Sequence, residues 1–245
     1  MKKWIYRILM LICFVVFGFS AYQLYLIYTQ EQEVVQETEE FKEHVVKEET
    51  KTLEPDWASL QAENPDIIAW VYVPDTEISF PVVQGADNAF YLNHTTKKEY
   101  NNRGSIFLDF RAQSDFSDDN SIIYGHSVEG GGMFTNIKYY SEASFFEAHP
   151  VFYLLTPSMN YECEIMTYAK AKDGSVYYTS SFGSYREEVL GQLKANALYT
   201  RELDTQDVRF VTLSTCDLDY GFNSDQRLIL TAAMRGMDGP VKIVD

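Results

Sequence analysis

The stretch VRFVTLST (208–215) runs into Cys216 and is followed, after the 216–226 loop, by RLILTAAM (227–234). Both runs are rich in β-branched and apolar residues and lack Gly and Pro, so they read as strands. Further strand signals crowd the chain before them. IIAWVYV (67–73) stops at the turn pair Pro74-Asp75, and ISFPVVQ (78–84) carries Pro81, which predicts an edge or a bulge. SIFLD (105–109) and SIIY (121–124) are short strands. Val151–Leu155 and Tyr161–Lys172 pair across Pro157-Ser158-Met159-Asn160. Eight short strands with few helices predict a mainly β domain, a closed barrel or a sandwich. Asp56–Asn64 predicts a short helix before the first strand. A second helix, Ser184–Leu198, has an apolar face of Val189, Leu190, Leu193 and Ala197.

The N-terminal part has different chemistry. Residues 1–30 carry Lys2, Lys3 and Arg7 as their only charges, residues 31–54 carry nine Glu against three Lys, and the whole chain has a net charge of −16. A strongly anionic protein is a poor partner for nucleic acid. From Ile8 to Tyr28 the chain is apolar enough to span a bilayer, with Tyr22, Tyr25 and Tyr28 suited to its interface. A cleaved signal peptide is the alternative, since Gly18-Phe19-Ser20-Ala21 loosely matches a cleavage site. The cationic flank predicts residues 1–7 in the cytoplasm, 8–28 in the membrane and the remainder outside. Residues 29–54 predict an acidic, solvated helical stalk, with His44 on its surface, and residues 55–245 form the expected globular domain.

Three cysteines exclude a disulfide-dense scaffold. Cys13 lies in the predicted span. Cys163 lies mid-strand and reads as a buried structural thiol. Cys216 ends a strand and opens a loop, where a rigid scaffold presents reactive groups. A Cys163–Cys216 disulfide is the other reading. A nucleophilic thiol needs a proton partner and an anion stabiliser. The predicted outer domain offers His94 in a surface turn, His149 before Pro150, and His126, which follows SIIY through Gly125, a glycine that lets the chain turn sharply there. Arg227 starts the last strand, and a hairpin through the 216–226 loop would bring it near Cys216. Its planar fork suits an anion, and a surface arginine is the plain alternative.

The set Tyr124-Gly125-His126, Thr212-Leu213-Ser214-Thr215-Cys216 and Gln226-Arg227-Leu228 resembles the sortases, membrane-anchored cysteine transpeptidases of Gram-positive surfaces. The resemblance covers Trp57–Arg235. The opening strands, the helix before them and the helix at 184–198 are similar to class B members. It implies an eight-stranded sortase-type barrel with an extra helix between strands six and seven. It implies His126, Cys216 and Arg227 as the catalytic set, with Ser214 and Thr215 of the same motif as substrate contacts, and no cofactor. The implied partners are secreted proteins with C-terminal sorting signals and an amine of peptidoglycan or its lipid-linked precursor. A pilin lysine as acceptor is the alternative within the family, and an anchored wall-binding β-domain without activity is the alternative outside it. The Asp115–Asn120 loop lacks the spacing of a calcium motif and reads as a solvated turn, so no metal is expected. Gly130-Gly131-Gly132 reads as a flexible loop close to His126.

Overall fold

The computed structural model describes residues 2–128, 130–221 and 224–243. Met1 of the expected cytoplasmic stretch, Phe222 and Asn223 of the loop after Cys216, and the last two residues of the expected catalytic domain lie outside the described residues. Lys2–Glu43 form one continuous helix, α1. Among the described residues it is the one helix long and apolar enough, by length and composition, to cross a membrane. Its large apolar side chains from Trp4 to Tyr25 stand exposed, as do Ile27 and Tyr28, while Leu26 is half-buried.

The stalk differs from the expected solvated spacer. From Gln30 onward α1 lies against the rest of the protein and buries Val34 and Phe41. Asn101 Nδ2 donates to the Gln30 carbonyl and to Glu33, both at 2.9 Å. Arg103 pairs with Glu31 at 3.3 Å, and Lys97 pairs with Glu40. The acidic residues that suggested solvation are therefore partly ion-pair partners of a basic strip at 97–103. The segment after the helix is also built in. β1 (Val46–Lys47) and β2 (Thr52–Leu53) form a three-stranded sheet with a strand at the far end of the chain, Val241–Lys242. Val45, Leu53 and Val241 are buried beside Leu60 of α2 (Trp57–Glu63), which Asp56 caps by accepting the Ser59 N–H at 3.2 Å. The folded unit thus starts near residue 30, ahead of the expected boundary at 55.

Eight strands close the barrel: β3 (Ile67–Tyr72), β4 (Ser79–Val83), β5 (Ile106–Leu108), β6 (Asn120–Tyr124), β7 (Val151–Leu155), β8 (Asn160–Lys172), and, past β9 (Tyr199–Thr200), β10 (Arg209–Cys216) and β11 (Gln226–Met237). Their order is β11-β10-β6-β5-β4-β3-β7-β8, and β8 returns to β11. The last short strand, β12, is Val241–Lys242. The β4–β5 and β6–β10 pairs are parallel. Pro81 sits where β4 has β3 alongside but β5 pairs only with Val82 and Val83, so the missing N–H interrupts no second ladder.

Period-two alternation divides each strand. Leu213, Leu228 and Leu230 face the barrel core, while Phe210, Ile229 and Ala233 face outward under α4 (Arg186–Ala195). That helix lies between the sixth and seventh barrel strands, β8 and β10, and seats Leu190 and Leu193. Residues 135–148, a 3₁₀ segment followed by α3 (Ala143–Ala148), cover one end of the barrel core with Ile137, Tyr140 and Phe146.

Candidate active site

The last hairpin pairs residue for residue from Arg209↔Met234 to Cys216↔Arg227. β6 runs parallel on the other side of β10, with Tyr124 against Ser214, and the Gly125 N–H donates to the Ser214 carbonyl at 3.1 Å. The register carried on two residues sets His126 beside Cys216. Three strands thus end at one rim, and each brings one group: imidazole, thiol and guanidinium.

Alternation places Tyr124, Ser214, Cys216 and Arg227 on the outer face of the wall. Gly125, between Tyr124 and His126, points its missing side chain inward. A Cβ there would lie 2.4 Å from Ile106 Cδ1 and 2.7 Å from Phe134 Cδ2. The sequence reading assigned Gly125 to a sharp turn, but close packing against the core is what requires it. His126 is anchored through its own carbonyl, which accepts the Phe134 N–H at 3.0 Å.

A cavity of about 310 Å³ lies on the outer face, with Tyr124, His126, Ser214, Thr215, Cys216 and Arg227 in its lining. Cys216 is half-buried and reduced. His126 Nε2 is 2.8 Å from the Leu92 carbonyl oxygen. A carbonyl can only accept, so Nε2 carries a proton and Nδ1 is the atom left to exchange one. Arg227 Nη1 donates to the carbonyls of Ser224 at 2.8 Å and Gln226 at 3.0 Å, and Nη2 reaches Asp173 Oδ2 at 3.4 Å. The Asp217 N–H is taken by the Gln226 carbonyl at 3.0 Å. Ser214 and Thr215 are buried: Ser214 Oγ pairs with the Tyr178 hydroxyl at 2.7 Å, and Thr215 Oγ1 with Ser127 Oγ at 2.9 Å.

Sequence reasoning missed the supports. Tyr124 stacks on Tyr178, meets the Phe107 ring at a tilt of 34°, and donates to Asp109 Oδ2 at 3.2 Å. Burial alone would raise the Asp109 carboxyl, but the Arg111 side chain and N–H and the Asn88 amide outweigh it and hold it at about 2. Burial pushes the Tyr178 phenol up to about 12, so it stays a neutral partner of Ser214. Asn88, Leu92, Asp173 and Tyr178 come from loops and turns, where no periodic signal marks them, and Asp109 closes SIFLD (105–109), where the strand pattern marks the strand but not the role of its last residue. Only Tyr124 lies in a motif that sequence alone picks out.

The other candidates lie elsewhere. His94 stacks on Phe90 at 4.0 Å, and His149 stacks on Phe145 and pairs with Asp75 at 3.2 Å. Cys163 is wholly buried, and burial, with Glu162 nearby, pushes its thiol up. It pairs with Met234 while Cys216 pairs with Arg227. Seven residues of β11 separate those partners, about 23 Å at the strand rise, so no disulfide joins the two cysteines. Asp118 accepts the Gln113 N–H at 2.7 Å, and Asp119 accepts the Phe182 N–H at 2.7 Å and meets Arg186 at 3.5 Å. The acidic loop is therefore engaged with its own surroundings. Gly130–Gly132 all have positive φ, and the segment is tied by Glu77 to the Gly132 N–H at 3.0 Å and by Arg103 to the Gly131 carbonyl at 3.1 Å.

A thiol flanked by an imidazole and a guanidinium over a peptide-sized cavity is suited to acyl transfer through a thioester. The comparisons agree. A family model described as the sortase domain matches residues 71–235. Sortase B of Listeria monocytogenes is 35% identical over 173 residues, covering 69% of this chain and 70% of that protein. Among solved structures, sortase B of Bacillus anthracis in complex with AAEK1 has a TM-score of 0.75 at 27% identity, covering 86% of this chain and 100% of that one. A Streptococcus pyogenes class B sortase involved in pilus biogenesis has a TM-score of 0.66 at 32% identity, covering 74% and 98%. The eight-stranded barrel, the helix between its sixth and seventh strands and these similarities establish that the chain belongs to the sortases, cysteine transpeptidases, and among them to class B.

Proposed function

We propose that the protein is a membrane-anchored sortase that cleaves a C-terminal sorting motif of secreted proteins and joins them to an amine of the cell wall. The observation that carries this reading is the meeting of His126, Cys216 and Arg227 at one rim over the outer cavity. Cys216 attacks the carbonyl of the scissile bond as thiolate. His126 gives the proton on Nδ1 to the leaving amine, while its Nε2–H stays on the Leu92 carbonyl and fixes the ring. The developing oxyanion needs a donor. Because the Asp217 N–H is occupied, that burden falls on Arg227. Its Nη2, held only by the long contact to exposed Asp173, is the donor that can turn. Ser214 and Thr215 line the floor along which the sorting peptide lies. Water or an amine then releases the acyl group.

The anchor supports the same reading. The first part of α1 is apolar over 8–28 and carries Lys2, Lys3 and Arg7 ahead of that stretch, so residues 1–7 face the cytoplasm and the barrel faces outward. Because α1 docks rather than tethers, Ile27 and Gln30 border a cavity of about 440 Å³ that also touches His126 and Cys216. The site therefore sits close to the membrane surface, where both a secreted substrate and a lipid-linked acceptor emerge. A pilin lysine as acceptor is the second reading, favoured by the similarity to the Streptococcus pyogenes enzyme.

The test is to incubate the full chain in detergent with candidate sorting peptides and an amine acceptor, and to identify products by mass. Cleavage with transfer of the N-terminal fragment to the amine is expected. Intact peptides throughout, with Cys216 unreactive to an alkylating agent, would overturn the proposal.

A further inference from the structure

We propose that a second cavity, at the mouth of the barrel, admits the accepting amine, and that Asp217 and Asp219 hold the ammonium of an incoming peptide there. This rests on the transpeptidase reading above. The wall that carries Cys216 separates two spaces. The outer cavity holds His126 and Arg227. The other, about 580 Å³, is lined at the barrel's end by Leu228, Lys170, Asp217 and Asp219, with Glu77 and Lys138 among its remaining lining. Among the described residues Cys216 alone borders both. With a sorting peptide in the outer cavity, two approaches to its thioester remain: the mouth, and the cavity beside Ile27 and Gln30, whose lining has Arg103 as its charged side chain among the described residues and so does not favour an ammonium.

The lining has the chemistry of an ammonium site. Asp217 is only 3% exposed. Its Oδ1 accepts the Asp219 N–H at 3.2 Å, while Oδ2 is buried without a hydrogen-bond donor. The nearest cation to Oδ2 is Lys170 Nζ, at 3.4 Å, which also lies 3.6 Å from Asp219 Oδ2. Lys170 is an ammonium on a flexible stem, and it marks where a second ammonium would be held once it swings aside. Lys138 and Lys170 leave the lining mixed in charge, which suits a peptide bearing both an amine and carboxylates rather than a simple cation.

The transfer step balances. The bound ammonium gives one proton to solvent and attacks the thioester carbon as a neutral amine. A C–N bond forms and the C–S bond breaks. Cys216 leaves as thiolate, and the second amine proton passes to Nδ1 of His126, restoring the imidazolium used in the first step.

The experiment uses the full chain in detergent, loaded with a sorting peptide that it cleaves. Thioester adduct, hydrolysis product and transfer product are followed by mass as triglycine or Nα-acetyl-lysine amide is titrated. Asp217→Asn and Asp219→Asn should each raise the amine concentration for half-maximal transfer at least about fivefold, the scale of a lost charge-assisted contact. Hydrolysis of the adduct should persist, so products shift from transfer to hydrolysis. Glu187→Gln, exposed on α4, is the charge-matched control. A shift with triglycine alone assigns an N-terminal amine, and a shift with the lysine derivative alone assigns a side-chain amine. Should Asp217→Asn not fold, Asp219→Asn decides alone, since that side chain is 81% exposed. Partition within about twofold of wild type would overturn the assignment. A wild-type protein that forms no adduct would defeat the transpeptidase reading as well, and the first mass spectrum tells the two failures apart.

Discussion

Arg227→Lys separates an arginine that holds the transition state from one that merely decorates a strand. The structural cost is calculable. Arg227 holds the carbonyls of Ser224 and Gln226 with Nη1 and meets Asp173 at 3.4 Å. A lysine ammonium keeps the charge and can satisfy one of those carbonyls. The loss is one net hydrogen bond, about 1 kcal/mol, plus an exposed ion pair worth about 0–1 kcal/mol. That lowers the melting temperature by a few degrees for a domain of this size, and leaves the protein folded at assay temperature. The catalytic cost differs in scale. Losing a donor aimed at an oxyanion lowers the rate about 10²–10³-fold, about 2.7–4 kcal/mol in the barrier. The assay is kcat/KM for a quenched sorting peptide, with thermal unfolding and the rate of Cys216 alkylation measured on the same samples. The expected result is a fall of at least about 10²-fold in kcat/KM with Cys216 still alkylated. Arg235→Lys at the other end of β11, which pairs with Glu164 at 2.9 Å, should turn over normally. A kcat/KM for Arg227→Lys within about fivefold of wild type would refute the reasoning and leave His126 and Cys216 served by backbone donors.

Other outcomes follow from the same geometry. His126→Ala should lower kcat/KM by at least about 10²-fold, whereas His94→Ala and His149→Ala should not, and the pH profile should be bell-shaped because thiolate and imidazolium must coexist. An inactive His94→Ala with an active His126→Ala would reverse that pairing. The depressed Asp109 carboxyl stabilises the fold above the ordinary carboxylate range, and this contribution is lost as pH falls through about 2. Asp109→Asn should therefore melt earlier at neutral pH by about 1–2 kcal/mol, a margin reduced by the solvent exposure of Arg111, and the gap should close on acidification. A gap independent of pH would assign the loss to packing instead. Removing residues 1–54 should destabilise the domain by about 5 kcal/mol or more, because Phe41, Val45 and Leu53 are buried and each contributes about 1.5–3 kcal/mol. Removing only residues 1–26 should not, and equal unfolding midpoints for the two truncations would show that the docked segment contributes nothing.

The sequence was most legible where periodicity and motif coincide. VRFVTLST and RLILTAAM mark β10 and β11 to within three residues at their ends, and their pairing makes Cys216↔Arg227 an expectation before any coordinates. The helix at 184–198 was visible from Leu190 and Leu193. Pairing across the parallel β6–β10 ladder was not visible, since 90 positions separate His126 from Cys216 and only the closed barrel joins them. The supports were illegible for another reason. Asp109, Asn88 and Tyr178 act through side-chain contacts made at strand ends and in irregular backbone, which leave no repeating pattern. The stalk misled because Glu31, Glu33, Glu37 and Glu40 look like a solvated face, and the residues that receive them at 97–103 come from a loop about 60 positions later. Gly125 was recognised, but for its turn rather than for the Ile106 and Phe134 side chains that fill the space of its Cβ.

The central claim is that Cys216 carries the acyl group between two substrates, and the mass of the trapped intermediate tests it most directly. Full-length protein mixed with a sorting peptide, quenched in acid within seconds and digested, should show the N-terminal fragment attached to the peptide containing Cys216. The adduct should be absent from Cys216→Ala and retained in Cys163→Ala, and it should disappear when an amine acceptor is added. An adduct on Cys163, or cleavage of the sorting peptide by Cys216→Ala, would contradict the account.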